Sequence, residues 1–393
     1  MLAQKPPMGW NTWNTFGKNI NEKLIMEIAD TMIEKGYKDA GYEYIVIDDC
    51  WALRQRDENG CLVPDPEKFP HGMKYLSDYV HSKGFKFGMY SCAGIRTCLD
   101  YPSSYGHEFV DAKTFAQWGV DFLKYDFCYF PHSANCKNAY LTMSNALKAS
   151  GREILFSMCN WGCEDTWNWA RSVGAHMYRS TGDIFDNYVS MRDILISRID
   201  KFQYSAPGCH NDIDMMVVGM YNIGNVAFGL GSDDGGMKIS DYTSSDIDYE
   251  THFALWCMFS TPLMIGGDIR NMNEFSHKLL TNKKLIAINQ DEECRNPYLV
   301  NRNLKENPED NVNGCYTFLK ILSNNEYALL LWNVTDQENT ANAIFYDMGF
   351  PVSSNLKLEF EEILGDSEVN YYCDYLSTKL KPHQCKLLKF KVK

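Results

Sequence analysis

The sequence contains no Cys-x-x-Cys pair, no His-Glu-x-x-His or His-x-His pattern, no long apolar run and no basic cluster. Each absence removes a class of function. Without paired cysteines or histidines at ligand spacing there is no built-in zinc site, and neither metal nor cofactor is expected. Without an apolar run long enough to span a bilayer there is no transmembrane helix. A net charge of −13 over 393 residues repels phosphate backbones and anionic lipid, so neither nucleic acid nor membrane is an expected partner. The 14 cysteines are scattered and far too sparse for a disulfide scaffold. They read as mostly free thiols of an intracellular chain. The start, Met1-Leu2-Ala3-Gln4-Lys5-Pro6-Pro7, lacks the apolar core of a signal peptide. A cytoplasmic location is expected, and secretion would require a leader already removed. A chain of this length buries a large core unaided, and a homo-oligomer is compatible with the composition.

What is present is a repeating unit. Leu24, Ile25, Ile28, Ala29, Met32 and Ile33 recur at helical spacing, Gly36 follows as a left-handed cap, and Tyr44–Ile47 reads as a strand ending at Asp48-Asp49. The same order returns with Gly84 before Phe85–Tyr90, Gly119 before Val120–Tyr125, Gly151 before Ile154–Met158 and Gly174 before Ala175–Tyr178. A first strand at Met8–Trp13 and later ones near Ile213–Val218 and Pro262–Ile265 bring the total to about eight, the count of a (β/α)₈ TIM barrel of α/β class. A doubly wound sheet is the competitor, but Gly-x-Gly-x-x-Gly is missing after the first strand, and Gly229–Gly236 reads as a loop. Beyond Pro297 the grammar changes. Tyr316–Leu322, Tyr327–Trp332, Ala343–Tyr346, Leu356–Phe360 and Leu387–Val392 are short strands with no helix between them. The expected organisation is a barrel over 1–297 and a small all-β antiparallel sandwich over 298–393.

Barrel enzymes place their chemistry at the C-terminal strand ends. This sequence puts carboxylates there: Asp48 and Asp49, Asp126, Asp183, Asp212 and Asp214, together with Trp10, Trp13, Tyr90 and Trp161. Carboxylates and aromatics without metal ligands are the equipment of glycoside hydrolysis. In Lys124-Tyr125-Asp126 alternation sets Lys124 and Asp126 on one face. The lysine would hold the carboxylate ionised, as a nucleophile requires, or the two form a buried salt bridge. Asp183, after Arg179 and a bend at Gly182, is either a general acid with a raised pKa or a helix N-cap. Asp48-Asp49 reads as a hydroxyl-accepting pair, a metal site or a cap.

Pro7-Met-Gly-Trp-Asn-Thr-Trp13, Ile47-Asp-Asp-Cys-Trp51, Phe69-Pro-His-Gly-Met73, Leu123-Lys-Tyr-Asp126, Asn211-Asp-Ile-Asp-Met215 and Ala287-Ile-Asn-Gln-Asp291 follow one another in the order found in glycoside hydrolase family 27. The chain resembles this family of α-galactosidases and α-N-acetylgalactosaminidases. The resemblance implies a retaining exo-glycosidase acting on terminal α-D-galactosides by double displacement. Asp126 would be the nucleophile and Asp183 the acid/base, their carboxyl groups about 5–5.5 Å apart. It further implies that Asp48 and Asp49 accept from the 6- and 4-hydroxyls, and that Lys124 and Arg179 reach the ring hydroxyls. Trp13 and Tyr90 would line the pocket, with Asp214 and Met215 on its far wall.

The segment Cys159-Asn160-Trp161-Gly162-Cys163 departs from both family branches. Animal galactosidases carry Glu and a bulky residue where Asn160 and Cys163 stand, and galactosaminidases carry small residues at both. A hydroxyl at sugar carbon 2 is favoured over N-acetyl, with α-N-acetylgalactosaminidase as the alternative. Retention of Asp49 argues against β-L-arabinopyranosidase, and the presence of every expected catalytic group argues against a non-catalytic carbohydrate-binding protein. Cys98 and Cys128 match positions that are paired in secreted relatives. Asn333-Val-Thr335 fits a glycosylation acceptor.

Overall fold

The fold was analysed in a computed structural model that describes residues 2–224, 244–300, 314–350 and 357–393. Eight parallel strands follow one another round a barrel: β1 Met8–Asn11, β2 Tyr44–Val46, β3 Lys86–Cys92, β4 Phe122–Asp126, β5 Leu155–Cys159, β6 Met177–Arg179, β7 His210–Asp212 and β8 Leu263–Ile265. Neighbours pair in sequence order, and β8 pairs with β1. Met216 completes the ring, donating its amide to Met264 O at 2.7 Å and accepting from the Gly266 amide at 2.9 Å.

The helices described are α1 Trp13–Phe16, α2 Glu22–Glu34, α3 Tyr37–Ala40, α4 Gly72–Ser82, α5 Glu108–Trp118, α6 Cys136–Ala149, α7 Tyr188–Ile196, α8 Asp246–Met258, α9 Glu274–Leu280 and α10 Lys283–Asn289. Asn21 caps α2 by accepting from the Leu24 amide, and Gly36 takes φ 74° just beyond its end. Between β5 and β6 two short 3₁₀ turns, Thr166–Asn168 and Ala170–Val173, stand in place of a full helix.

Two departures from the sequence reading have clear causes. The seventh strand is His210–Asp212, not Ile213–Val218. Asp214 adopts φ 88°, which breaks strand geometry. Ile213, Met216, Val217 and Val218 are apolar because all four are buried in the packing around the barrel, whose cluster also holds α8. The first strand stops at Asn11, and Trp13 instead opens the helical turn α1. The Gly229–Gly236 stretch lies outside the described residues.

Alternation divides the barrel's core. Tyr44, Val46, Phe122, Leu155, Met177 and Met264 pack inside the ring. Ile45, Phe87, Leu123, Tyr125, Phe156 and Tyr178 face the helices, where Tyr125 meets Tyr140 of α6 edge-on at 5.6 Å. The inward set continues at the strand ends into Asp48, Tyr90, Lys124 and Asp126, so one alternation builds both the core and the site above it.

A five-stranded antiparallel sheet follows, in the order β13-β16-β11-β10-β9. Its members are Leu358–Leu364, Cys385–Val392, Glu326–Asn333, Cys315–Ile321 and Tyr298–Leu299. It stacks on a three-stranded sheet, β12 Asn339–Ile344, β15 Tyr375–Leu380 and β14 Val369–Tyr371. Strands β9 and β14, of two and three residues, are too short to have announced themselves, and β15 is too polar. Along β11, Leu329 and Leu331 fill the sandwich while Ala328, Leu330 and Trp332 join the barrel's apolar cluster. Burial on both faces explains the unbroken Ala328–Trp332 run. His383 stacks on Tyr188 at 3.6 Å and bonds Asp248 of α8 at 2.7 Å, tying the sandwich to the barrel. Asn333 is fully buried and its amide donates to Gln337, Leu380 and Lys381 carbonyls, so it is a structural asparagine with no room for a glycan. Among the described residues no helix is long and apolar enough to cross a membrane.

Candidate active site

A cavity of 480 Å³ opens over the C-terminal ends of the strands. Its wall includes Trp13, Asp48, Tyr90, Lys124, Asp126, Cys159, Arg179, Asp183, Asp214 and Met215, all anticipated from the sequence. Asp49, Asn160 and Cys163, also anticipated, lie off the wall. Asp49 is buried behind Asp48 and accepts the Leu99 amide at 3.1 Å and that of Cys50 at 2.7 Å. Asn160 is fully buried and donates to the Cys163 carbonyl at 3.0 Å. Cys163 faces solvent.

Asp126 closes β4 and is almost wholly buried. The Tyr90 hydroxyl donates to its Oδ2 at 2.9 Å and the Phe127 amide to its Oδ1 at 2.9 Å. Lys124 does not pair with it. The ammonium instead bonds Asp48 Oδ2 at 2.8 Å, where the Asn11 amide also donates. Burial therefore prevails over the positive charge, and the Asp126 carboxyl is pushed above the usual aspartate range although Lys124 and the Phe127 amide pull it down. The sequence reading had the lysine winning. What it could not include was desolvation, together with the rival Asp48 claiming the ammonium.

Asp183 lies four residues beyond β6, and more than half of its side chain is exposed. It caps no helix, because Asn187 caps α7. Arg179, almost fully buried, holds Asp183 Oδ1 at 2.6 Å and Asp214 Oδ2 at 2.8 Å with the same Nη2. Burial raises the Asp183 carboxyl, but the guanidinium's charge and hydrogen bond outweigh it and hold it below the usual range. Asp214, deeper and desolvated, is pushed up to about 6 despite Arg179. One guanidinium thus serves two carboxylates, which titrate as a linked pair.

The wall also holds Trp161, placed at a strand end from the sequence, and Asn14, Cys98, Cys128, Tyr129, Gly182 and Ile184, to which the sequence reading gave no role in the cavity. Tyr129 stands three residues beyond β4, a position that would have flagged it as it flagged Trp161, two residues beyond β5. Cys98 and Cys128 are joined in a disulfide, with Cα atoms 5.1 Å apart, and Cys98 Sγ lies 3.5 Å from Asp126 Oδ2. Both sulfurs are engaged with each other, so this cluster offers a metal only one carboxylate.

An eight-stranded barrel with buried and half-exposed carboxylates around one cavity defines a glycosidase-like site, and the comparisons specify which. The family profile described as Alpha galactosidase A matches residues 5–291. An α-galactosidase from Cyamopsis tetragonoloba is 40% identical over 387 residues, covering 98% of this chain and 86% of its own. The crystal structure of α-galactosidase I from Mortierella vinacea superposes with TM-score 0.85 at 31% identity, covering 99% of this chain and 97% of its own. An α-galactosidase from Saccharomyces cerevisiae solved with raffinose gives TM-score 0.85 at 26% identity, covering 100% and 98%. The chain belongs to glycoside hydrolase family 27.

Proposed function

We propose that this chain is a retaining exo-α-galactosidase that releases terminal α-D-galactosyl residues from oligosaccharides or glycoconjugates. The observation that carries this reading is the presence, on one cavity wall, of two carboxylates in opposite settings. Asp126 is rigid, buried and hydrogen-bonded, suited to attack an anomeric carbon. Asp183 is at the open side, suited to protonate a departing oxygen and then to deprotonate water.

The steps follow from the residues. The sugar settles with hydroxyls toward Asp48, Lys124 and Arg179, while Trp13 and Met215 cover its apolar faces. Asp126 Oδ displaces the glycosidic oxygen, Asp183 supplies that oxygen's proton, and a β-linked galactosyl-enzyme forms. Water, losing its proton to Asp183, then releases α-galactose with the starting configuration restored. Before sugar binds, Arg179 keeps Asp183 ionised. A sugar hydroxyl that recruits the guanidinium, and a ring that sheds water from the cavity, both raise the Asp183 carboxyl toward its protonated, working form. Of the residues expected near carbon 2, Cys159, Trp161 and Arg179 line the cavity whereas Asn160 and Cys163 do not, which supports assigning substituent choice to the former set.

Incubation with 2-deoxy-2-fluoro-α-galactosyl fluoride followed by intact mass and peptide mapping tests the assignment. One fluorogalactosyl group on the Asp126 peptide, absent in Asp126→Asn, is the expected result. Labelling elsewhere, or inverted product configuration by NMR, would defeat it.

A further inference from the structure

Two loops meet at the mouth of the cavity, one leaving β3 and one leaving β4. Three separate ties hold them together. The disulfide joins Cys98 to Cys128. The Ile95 amide donates to the Tyr129 carbonyl at 3.3 Å. Arg96 lays its guanidinium over the Tyr129 ring, 4.6 Å from the centroid, and is itself held by Asp100 at 2.5 Å. Gly94 makes the approach feasible, since a Cβ there would overlap the Cys128 carbonyl oxygen.

The residue fixed by these ties is Tyr129, at φ 51°. It lines the cavity and yet is 51% exposed. Among the described residues, the other large apolar side chains this exposed stand away from the cavity wall. Arg96 occupies one face of the ring, and half of the side chain remains open to solvent. A rigid aromatic face half in water gains by receiving a flat apolar surface, and the axial C–H face of a pyranose is such a surface. Asp183, also half-exposed on the same wall, marks the side from which the leaving group emerges.

We propose that Tyr129 is the platform of an aglycone subsite. It stacks on the pyranose that leaves, and so selects galactosyl oligosaccharides over galactosides with a minimal leaving group. This rests on the α-galactosidase reading above and names the substrate class of that same site.

The test compares kcat/KM for an α-galactosyl disaccharide with that for α-galactosyl fluoride, whose leaving group is a single atom. In Tyr129→Ala the disaccharide-to-fluoride ratio falls about tenfold, carried mainly by the disaccharide KM. Tyr129→Phe restores most of the ratio, and Arg96→Met lowers it less than the alanine variant. The ratio does not depend on the fraction of active protein, so partial misfolding leaves it unmoved. An unchanged ratio in Tyr129→Ala overturns the proposal. If the wild-type protein hydrolyses neither substrate, the α-galactosidase reading fails instead.

Discussion

Replacing Tyr90 by phenylalanine isolates one hydrogen bond to the proposed nucleophile. The hydroxyl donates to Asp126 Oδ2 at 2.9 Å, and both side chains are almost wholly buried. A hydrogen bond to an ionised group contributes about 1.5–3 kcal/mol, and a neutral one about 0.5–1.5 kcal/mol. Its removal therefore penalises carboxylate over carboxylic acid by about 1–1.5 kcal/mol, equivalent to about one pH unit. The sign is fixed. The ionised form loses more, so the Asp126 carboxyl, already raised by burial, rises further. The acid limb of kcat/KM reports the free enzyme. In Tyr90→Phe that limb moves up by about one pH unit, while the rate on the plateau changes by less than about tenfold, since the nucleophile gains basicity as it loses its partner. Phenylalanine brings no polar atom, so folding is little affected. A pH profile of aryl α-galactoside hydrolysis from pH 3 to 9 is the assay. An acid limb that stays put, or moves down, would refute Asp126 as the group titrating there.

Arg179 holds Asp183 ionised until sugar binds, so the alkaline limb of kcat should lie at higher pH than that of kcat/KM. Coincident limbs would contradict the proposed transfer of the guanidinium to the sugar. The disulfide closes a 30-residue separation. Its loss in the Cys98→Ser, Cys128→Ser double variant lowers stability by up to about 3.6 kcal/mol on a chain-entropy basis, read as a reduced urea midpoint. It also raises KM, because both sulfurs line the cavity. Burial lowers His383, but its hydrogen bonds to Asp248 and Asp336 raise it above the ordinary histidine value overall. Its contribution is thus full below about pH 6.5 and is lost as pH rises through the folded value. His383→Gln should lower Tm more at pH 6 than at pH 9, and an equal loss at both would show that stacking on Tyr188 is all that matters.

The local chemistry of this chain was written in its order of residues. Helical periodicity, a glycine closing each of the five clear units and apolar strands ending near carboxylates specify a barrel with acids at its rim. Period-2 alternation places Lys124 and Asp126 on one face, where the structure has them. Strand seven was misread because apolarity reports burial, and Ile213–Val218 is buried without being a strand. The sandwich was legible only where its strands were long and apolar; β9 and β14 were too short, and β15 was too polar. Tertiary structure alone decided the electrostatics. Which carboxylate captures Lys124, whether Arg179 divides itself between Asp183 and Asp214, and how far burial raises Asp126 depend on distances between strands far apart in sequence. Charge interactions fall with separation and grow with desolvation, and a linear string of residues carries neither quantity.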